Sequence, residues 1–228
     1  MSVMEYAQAR MQARFGARPG PQAWRELDAA SELRAYLDAA RGTSLKRWVS
    51  GIEPGADLHA IDSALRARFE SHIAEVAHWL PQEWRSAALW LLNVLDLSAI
   101  QQSGSEPDFL RRYRKKARAR AAQGNEARAA FLEEWTRRWP AQDEESLRGM
   151  QCIAATIAKH LERFARTSVR DAWHERSLLE RELRRLFRRF ALKPEAAFCH
   201  LALVALDLER LRAALVRRAL WRDERKSA

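Results

Sequence analysis

Between Met150 and the C-terminal Ala228 the chain has no glycine, and Pro194 is the only proline there. So long a stretch without the two strong helix breakers, filled with Leu, Ala, Arg and Glu, excludes a loop-rich architecture and reads as packed helices. The whole chain has only eight glycines. None of them forms a phosphate loop, a dinucleotide fingerprint or a G-x-S-x-G elbow. Cysteine is scarce as well: Cys152 and Cys199 both fall inside helical patterns, which argues against a disulfide framework and fits a reducing cytoplasm. No apolar run approaches the roughly 20 residues that span a bilayer; the best candidate, 87–100, is short and carries Asn93 and Asp96. Glu5, Arg10 and Arg14 interrupt any N-terminal signal segment.

What is present is helix-forming sequence with an excess of positive charge. Of 228 residues, 47% are apolar and 31% charged, a composition that folds around a core. The net charge of +10 has two readings: a surface for an acidic partner, whether protein, nucleic acid or anionic membrane, or the arginine-rich background of GC-rich coding. The expected fold is all-α, a bundle of about eight to ten helices closed by a C-terminal antiparallel hairpin.

The boundaries follow from local chemistry. A first helix over 4–14 stops at Gly16 and the Pro19-Gly20-Pro21 turn, and Pro21 opens the next. Ser31 and Thr43 read as N-caps, and Asp57 as the cap of a long helix whose apolar residues Leu58, Ile61, Leu65, Phe69, Ile73, Val76 and Leu80 step at three and four. Pro81 starts a helix reaching about residue 100, apolar on most sides and therefore central. Residues 101–107 read as a linker between an N-terminal lobe, 1–100, and a C-terminal lobe, 108–228, packed on it. In the second lobe helices are expected over 108–123, 125–139, 144–166, 168–190 and 194–221. Leu179, Leu183, Leu186 and Phe190 face Leu201, Val204, Leu208, Leu211 and Leu215 across the expected hairpin seam.

Chemistry is harder to find. The histidines His59, His72, His78, His160, His174 and His200 form no HExxH pair and none sits at metal spacing with a cysteine. His72, near the apolar face of its helix, reads as a satisfied core histidine. Glu133 and Glu134 stand three to five residues before Arg137 and Arg138, the spacing of solvated ion pairs. The residues thus indicate no enzyme and no cofactor. Two features suit binding. Arg111, Arg112, Arg114, Lys115, Lys116, Arg118 and Arg120 give seven basic residues in ten, either a helix to lie across phosphates or an acidic protein face, or a solvated helix after a linker. The nine tryptophans either stack bases or, at helical core spacing, fill the interior.

In order along the chain, several segments resemble the C/d subunit family of V-type ATPases and archaeal-type ATP synthases. Residues 6–14, Tyr-Ala-Gln-Ala-Arg-Met-Gln-Ala-Arg, look like that family's opening Y-x-x-A-R-x-x-A-R pattern. Thr43 stands where the family has a T-x-Y motif, with Leu45 in place of the tyrosine. The 57–80 helix, the Asp96-Leu97-x-x-Ile100 segment and the closing Leu208-Glu209-Arg210-Leu211-Arg212 fall where the family has counterparts. At Ala99 the family favours asparagine, and the chain is shorter and more basic than typical members. The resemblance covers about the first hundred residues and the last forty. It implies a non-catalytic socket, cytoplasmic and peripheral at the inner membrane through its partners, that joins the central stalk to the membrane rotor ring. It makes Tyr6, Arg10 and Arg14 candidate contacts between helices or toward the ring. Arg10 and Arg14, four apart on one face, call for a carboxylate beside at least one of them.

Overall fold

The computed structural model describes residues 2–96, 126–140, 144–168 and 171–227. Within them lie ten α-helices, one 3₁₀ segment and no strand. The helices are α1 (Val3–Gly16), α2 (Pro21–Asp28), α3 (Leu33–Arg41), α4 (Lys46–Val49), α5 (Leu58–Trp79), α6 (Gln82–Trp90), α7 (Glu126–Thr136), α8 (Glu144–Arg166), α9 (Ala172–Arg189) and α10 (Glu195–Ser227). The fold is the all-α bundle that the composition dictates. The 101–107 linker and the basic 108–123 helix lie outside the described residues.

Local chemistry sets most helix starts. Ser2 and Glu5 close a capping box on α1. Pro21 occupies the first turn of α2, and the Asp57 carboxylate accepts from the Ala60 amide at 2.7 Å. Two caps differ from expectation. Glu32, not Ser31, precedes α3. The Thr43 hydroxyl accepts from the Leu45 amide, so it shapes the turn before α4 while Leu45 holds the cap position. The α6 helix also ends early, passing at Leu91 into 3₁₀ geometry that runs to Asp96. There the Asn93 side-chain amide donates to the Trp90 carbonyl at 3.0 Å, a local competitor for helical hydrogen bonding.

The buried side chains form two cores. The first combines α1, the C-terminal half of α5, α6 to α9 and the start of α10. The second combines α2, α3, α4, the start of α5 and the stretch of α10 from Val204 to Ala219. Each core thus draws on sequence from both sides of the 101–107 stretch, and α5 and α10 run through both.

This arrangement divides the expected hairpin seam. Leu179, Leu183, Leu186, Phe190 and Leu201 meet in the first core, whereas Val204, Leu208, Leu211 and Leu215 turn into the second. The reason is length: α10 has 33 residues against 18 in α9, so its apolar stripe outlasts its hairpin partner and serves α2 to α5. At that far end Arg218, 2% exposed, donates to the carbonyls of Ala30, Asp28 and Ala214. A cation thereby closes the C-terminus of α2, where the helix dipole favours positive charge.

Two backbone positions show how the glycine-poor chain turns and packs. Leu192, in the α9–α10 turn, takes φ 65°, a left-handed conformation that usually falls to glycine. Its amide donates to Gln8 on α1. Gly149 is the only glycine in the three long C-terminal helices. A Cβ there would stand 2.7 Å from Glu195 Oε1 and 3.0 Å from its Cγ, so the glycine permits the start of α10 to approach α8. An exposed helix glycine replaced by alanine gains about 1 kcal/mol. Because Glu195 is fully buried, Gly149→Ala is expected instead to lose about 1–3 kcal/mol, read as a lower urea midpoint.

Candidate functional site

Tyr6, Arg10 and Arg14 line one face of α1, and the four-residue step continues to Arg18, just past the helix end. Arg10 Nε donates to the Tyr6 hydroxyl at 3.1 Å, and both Arg10 and Arg14 lie over the Trp79 ring of α5. Arg14 pairs with Glu75, the carboxylate partner that the spacing calls for. Tyr6 and Arg10 stay at the surface. The basic candidates Arg111, Arg112, Arg114, Lys115, Lys116, Arg118 and Arg120 lie outside the described residues.

Arg18 reaches furthest inward. Its side chain is only 6% exposed and grips Asp207 of α10 with two parallel bonds, Nε to Oδ2 at 2.6 Å and Nη2 to Oδ1 at 2.8 Å. The same Nη2 reaches Glu180 of α9 at 3.1 Å. One guanidinium therefore ties the end of α1 to both arms of the C-terminal hairpin. Burial works against its charge, but the two carboxylates outweigh burial and hold its pKa above the usual value. Burial pushes Asp207 above the usual carboxylate range, and the Arg18 bond only partly offsets that.

Beside this clamp His72 of α5 and His200 of α10 meet, Nε2 to Nε2 at 3.1 Å, and both are buried. Arg47 Nη2 stands 2.9 Å from His72 Nδ1. The same Nδ1 stands 3.3 Å from Glu75 Oε2, but Arg47 is the closer neighbour and an arginine only donates; with Nδ1 accepting from it, the His72 proton sits on Nε2. That proton is given to His200 Nε2, which leaves the His200 proton on Nδ1, a buried atom without a hydrogen-bond partner. Burial, together with the positive charge of Arg14 and, at His200, of Arg18 as well, lowers both rings to about 3. Both are neutral core histidines that bridge α5 and α10; His72 has a partner at each ring nitrogen, His200 only at Nε2.

Neutral burial has a pH signature. The folded values of about 3 lie below the unfolded value of about 6.5, so between them the unfolded chain binds more protons. Stability then falls as pH drops below about 6.5 and levels only near the folded values. Each ring contributes up to about 1.4 kcal/mol per pH unit in that window. From pH 7 to 5 the wild type is expected to lose about 3 kcal/mol more than the double variant His72→Gln/His200→Leu, measured as urea midpoints at the two pH values.

These groups surround a cavity of about 90 Å³ between the end of α1, the segment leading into α4, and helices α5 and α10. Its walls carry Arg14, Arg18 and Arg47 with Asp207, His72 and His200, and Leu45, Trp48 and Val204 among the apolar contributors. Arg47 lies over the Trp48 ring at 4.4 Å. A space of this size takes a few waters or one small ion. Among the described residues, no group of three or more His, Cys, Asp or Glu side chains is placed to hold a metal.

Of the tryptophans, Trp24, Trp48, Trp79, Trp84, Trp135 and Trp139 are buried, as core packing requires. Trp173 and Trp221 are about half exposed; Trp173 lies between Arg176 and Arg210. Arg137 pairs with Glu133 and Glu134, and Arg138 with Glu134, at the expected spacing, but only the Arg137–Glu133 pair is solvated, since the Glu134 side chain is 13% exposed. Sequence reasoning missed the Arg18–Asp207–Glu180 clamp. Its one available signal was the four-residue step from Arg14, hidden because Gly16 and Pro19 mark the end of the helix. No family model, curated protein or solved structure matches this chain.

Proposed function

We propose that this protein is a non-catalytic coupling subunit of the C/d type, a socket between a membrane rotor ring and a central stalk. The observation that supports it best is the sharing of α5 and α10 by both cores. Two apolar interiors strung on the same two helices make a strut: a load applied at one end strains the packing at the other, because dense cores deform little. The His72–His200 bridge adds a polar tie between α5 and α10, and the Arg18 clamp ties the end of α1 to α9 and α10. The order of the motifs, from the Tyr6–Arg14 pattern to the closing 208–212 segment, favours the same reading.

In this role the exposed Tyr6–Arg10 pair presents a surface for the ring or stalk, with Arg14 fixing the helix behind it. No helix among the described residues is long and apolar enough to cross a membrane. In the proposed role the chain is attached through its partner subunits, on the cytoplasmic side. No step of chemistry is assigned to the chain.

The test is capture of the tagged protein from detergent-solubilised native cells, with and without nuclease, and identification of what co-purifies. Ring and stalk subunits recovered equally in both arms are the expected result, with recovery lost in the Tyr6→Ala/Arg10→Glu variant. A haul of nucleic-acid-associated proteins that vanishes with nuclease would overturn the reading and move the function to the basic 108–123 segment.

A further inference from the structure

The hydrogen-bonding capacity around this cavity is unevenly used. Both Asp207 oxygens accept from Arg18. Glu75 receives Arg14 on one oxygen and stands near Arg47 and His72 with the other. The acceptor nitrogens of the two rings are occupied as well, His72 Nδ1 by Arg47 and His200 Nε2 by His72. What remains among the charged and ring groups is donor capacity. Arg18 Nη1, on a side chain only 6% exposed, has no hydrogen-bond partner, and neither has His200 Nδ1. Three guanidiniums from two separate segments of chain, Arg14 and Arg18 at the end of α1 and Arg47 in α4, line this one space.

We propose that the cavity is a binding site for a small tetrahedral oxyanion, phosphate or sulfate. A ligand that completes the site must offer acceptors only, carry negative charge and fit about 90 Å³. A cation finds no free acceptor here, because both Asp207 oxygens are taken by Arg18 and both imidazole lone pairs are occupied. An oxyanion bound here would touch α1, α4 and α10 together. It would therefore stiffen the junction at which the two cores meet, and its effect would be visible in the stability of the whole protein.

Thermal unfolding tests this directly, in phosphate or sulfate with chloride adjusted to hold ionic strength constant. These anions also stabilise proteins by exclusion from the surface, an effect that grows without saturating and ignores point variants. A bound ion instead raises Tm along a saturating curve at millimolar concentration. Arg47→Gln removes one cation whose side chain is 32% exposed, so the variant is expected to fold. It should weaken apparent affinity about tenfold, the loss expected of one charge-assisted hydrogen bond. Arg14→Gln, also at a partly exposed position, gives an independent second reading. A Tm that rises without saturation in the native protein, or rises identically in both variants, would overturn the site. A saturable rise that both variants weaken would establish it, and the stronger of the two anions would identify the ligand.

Discussion

Replacing Arg18 by methionine is expected to cost about 3–5 kcal/mol of stability, because it leaves the Asp207 carboxylate, only 14% exposed, without its bidentate partner. For a chain of this length that is a fall in Tm of about 10 °C or more. The loss comes from the charge left behind rather than from the worth of the pair. Removing both members with apolar residues of similar size, Arg18→Met/Asp207→Leu, is therefore expected to restore most of the stability. Asp207→Asn keeps a polar group facing Arg18 and should fall between the two. Chemical denaturation of the native protein, the single variants Arg18→Met and Asp207→Leu, and the double variant forms a double-mutant cycle. If the double variant is as unstable as the sum of the singles, the clamp does not act as a unit. The Arg18→Met deficit should also shrink as pH falls, since a lone buried carboxylate takes up a proton rather than remain charged.

The second large effect is expected at Phe187. It is fully buried in α9, stacks on Phe15 of α1 with ring centroids 4.8 Å apart and lies 6.4 Å from the His200 ring. Phe187→Ala removes a ring that three elements share and should cost about 3–5 kcal/mol. Leu211→Ala, at a fully buried position in the second core, should cost about 2–5 kcal/mol. Because α5 and α10 pass through both interiors, the two variants should each unfold in one transition at a lowered midpoint. Separate transitions, with Leu211→Ala loosening only the second core, would show that the cores are independent and would remove the mechanical basis of the proposed strut. Trp173→Ala, at a half-exposed position, is the contrast: about 0.5 kcal/mol or less.

Helix positions were legible because they depend on neighbours in sequence. The expected 144–166 helix is α8 to the residue, and Asp57 caps α5 as its position before the apolar period required. The misreadings have the same local character. Ser31 and Glu32 compete for one cap, and the apolar run after Trp90 reads as helix while Asn93 bonds back to the Trp90 carbonyl.

The amino-acid sequence by itself determined that the chain is a bundle of helices, where most of them begin, and that most of its tryptophans are core. Those properties follow from backbone propensity, caps and apolar period, all acting over a few residues. Only the tertiary structure decided which core each half of the α10 stripe enters, that Arg18 is buried while Arg10 is not, and that His72 finds His200. The two histidines are 128 residues apart and Arg18 lies 189 from Asp207. A buried polar group must find its complement within hydrogen-bond distance or cost stability, and which complement it finds is settled by how the long helices cross.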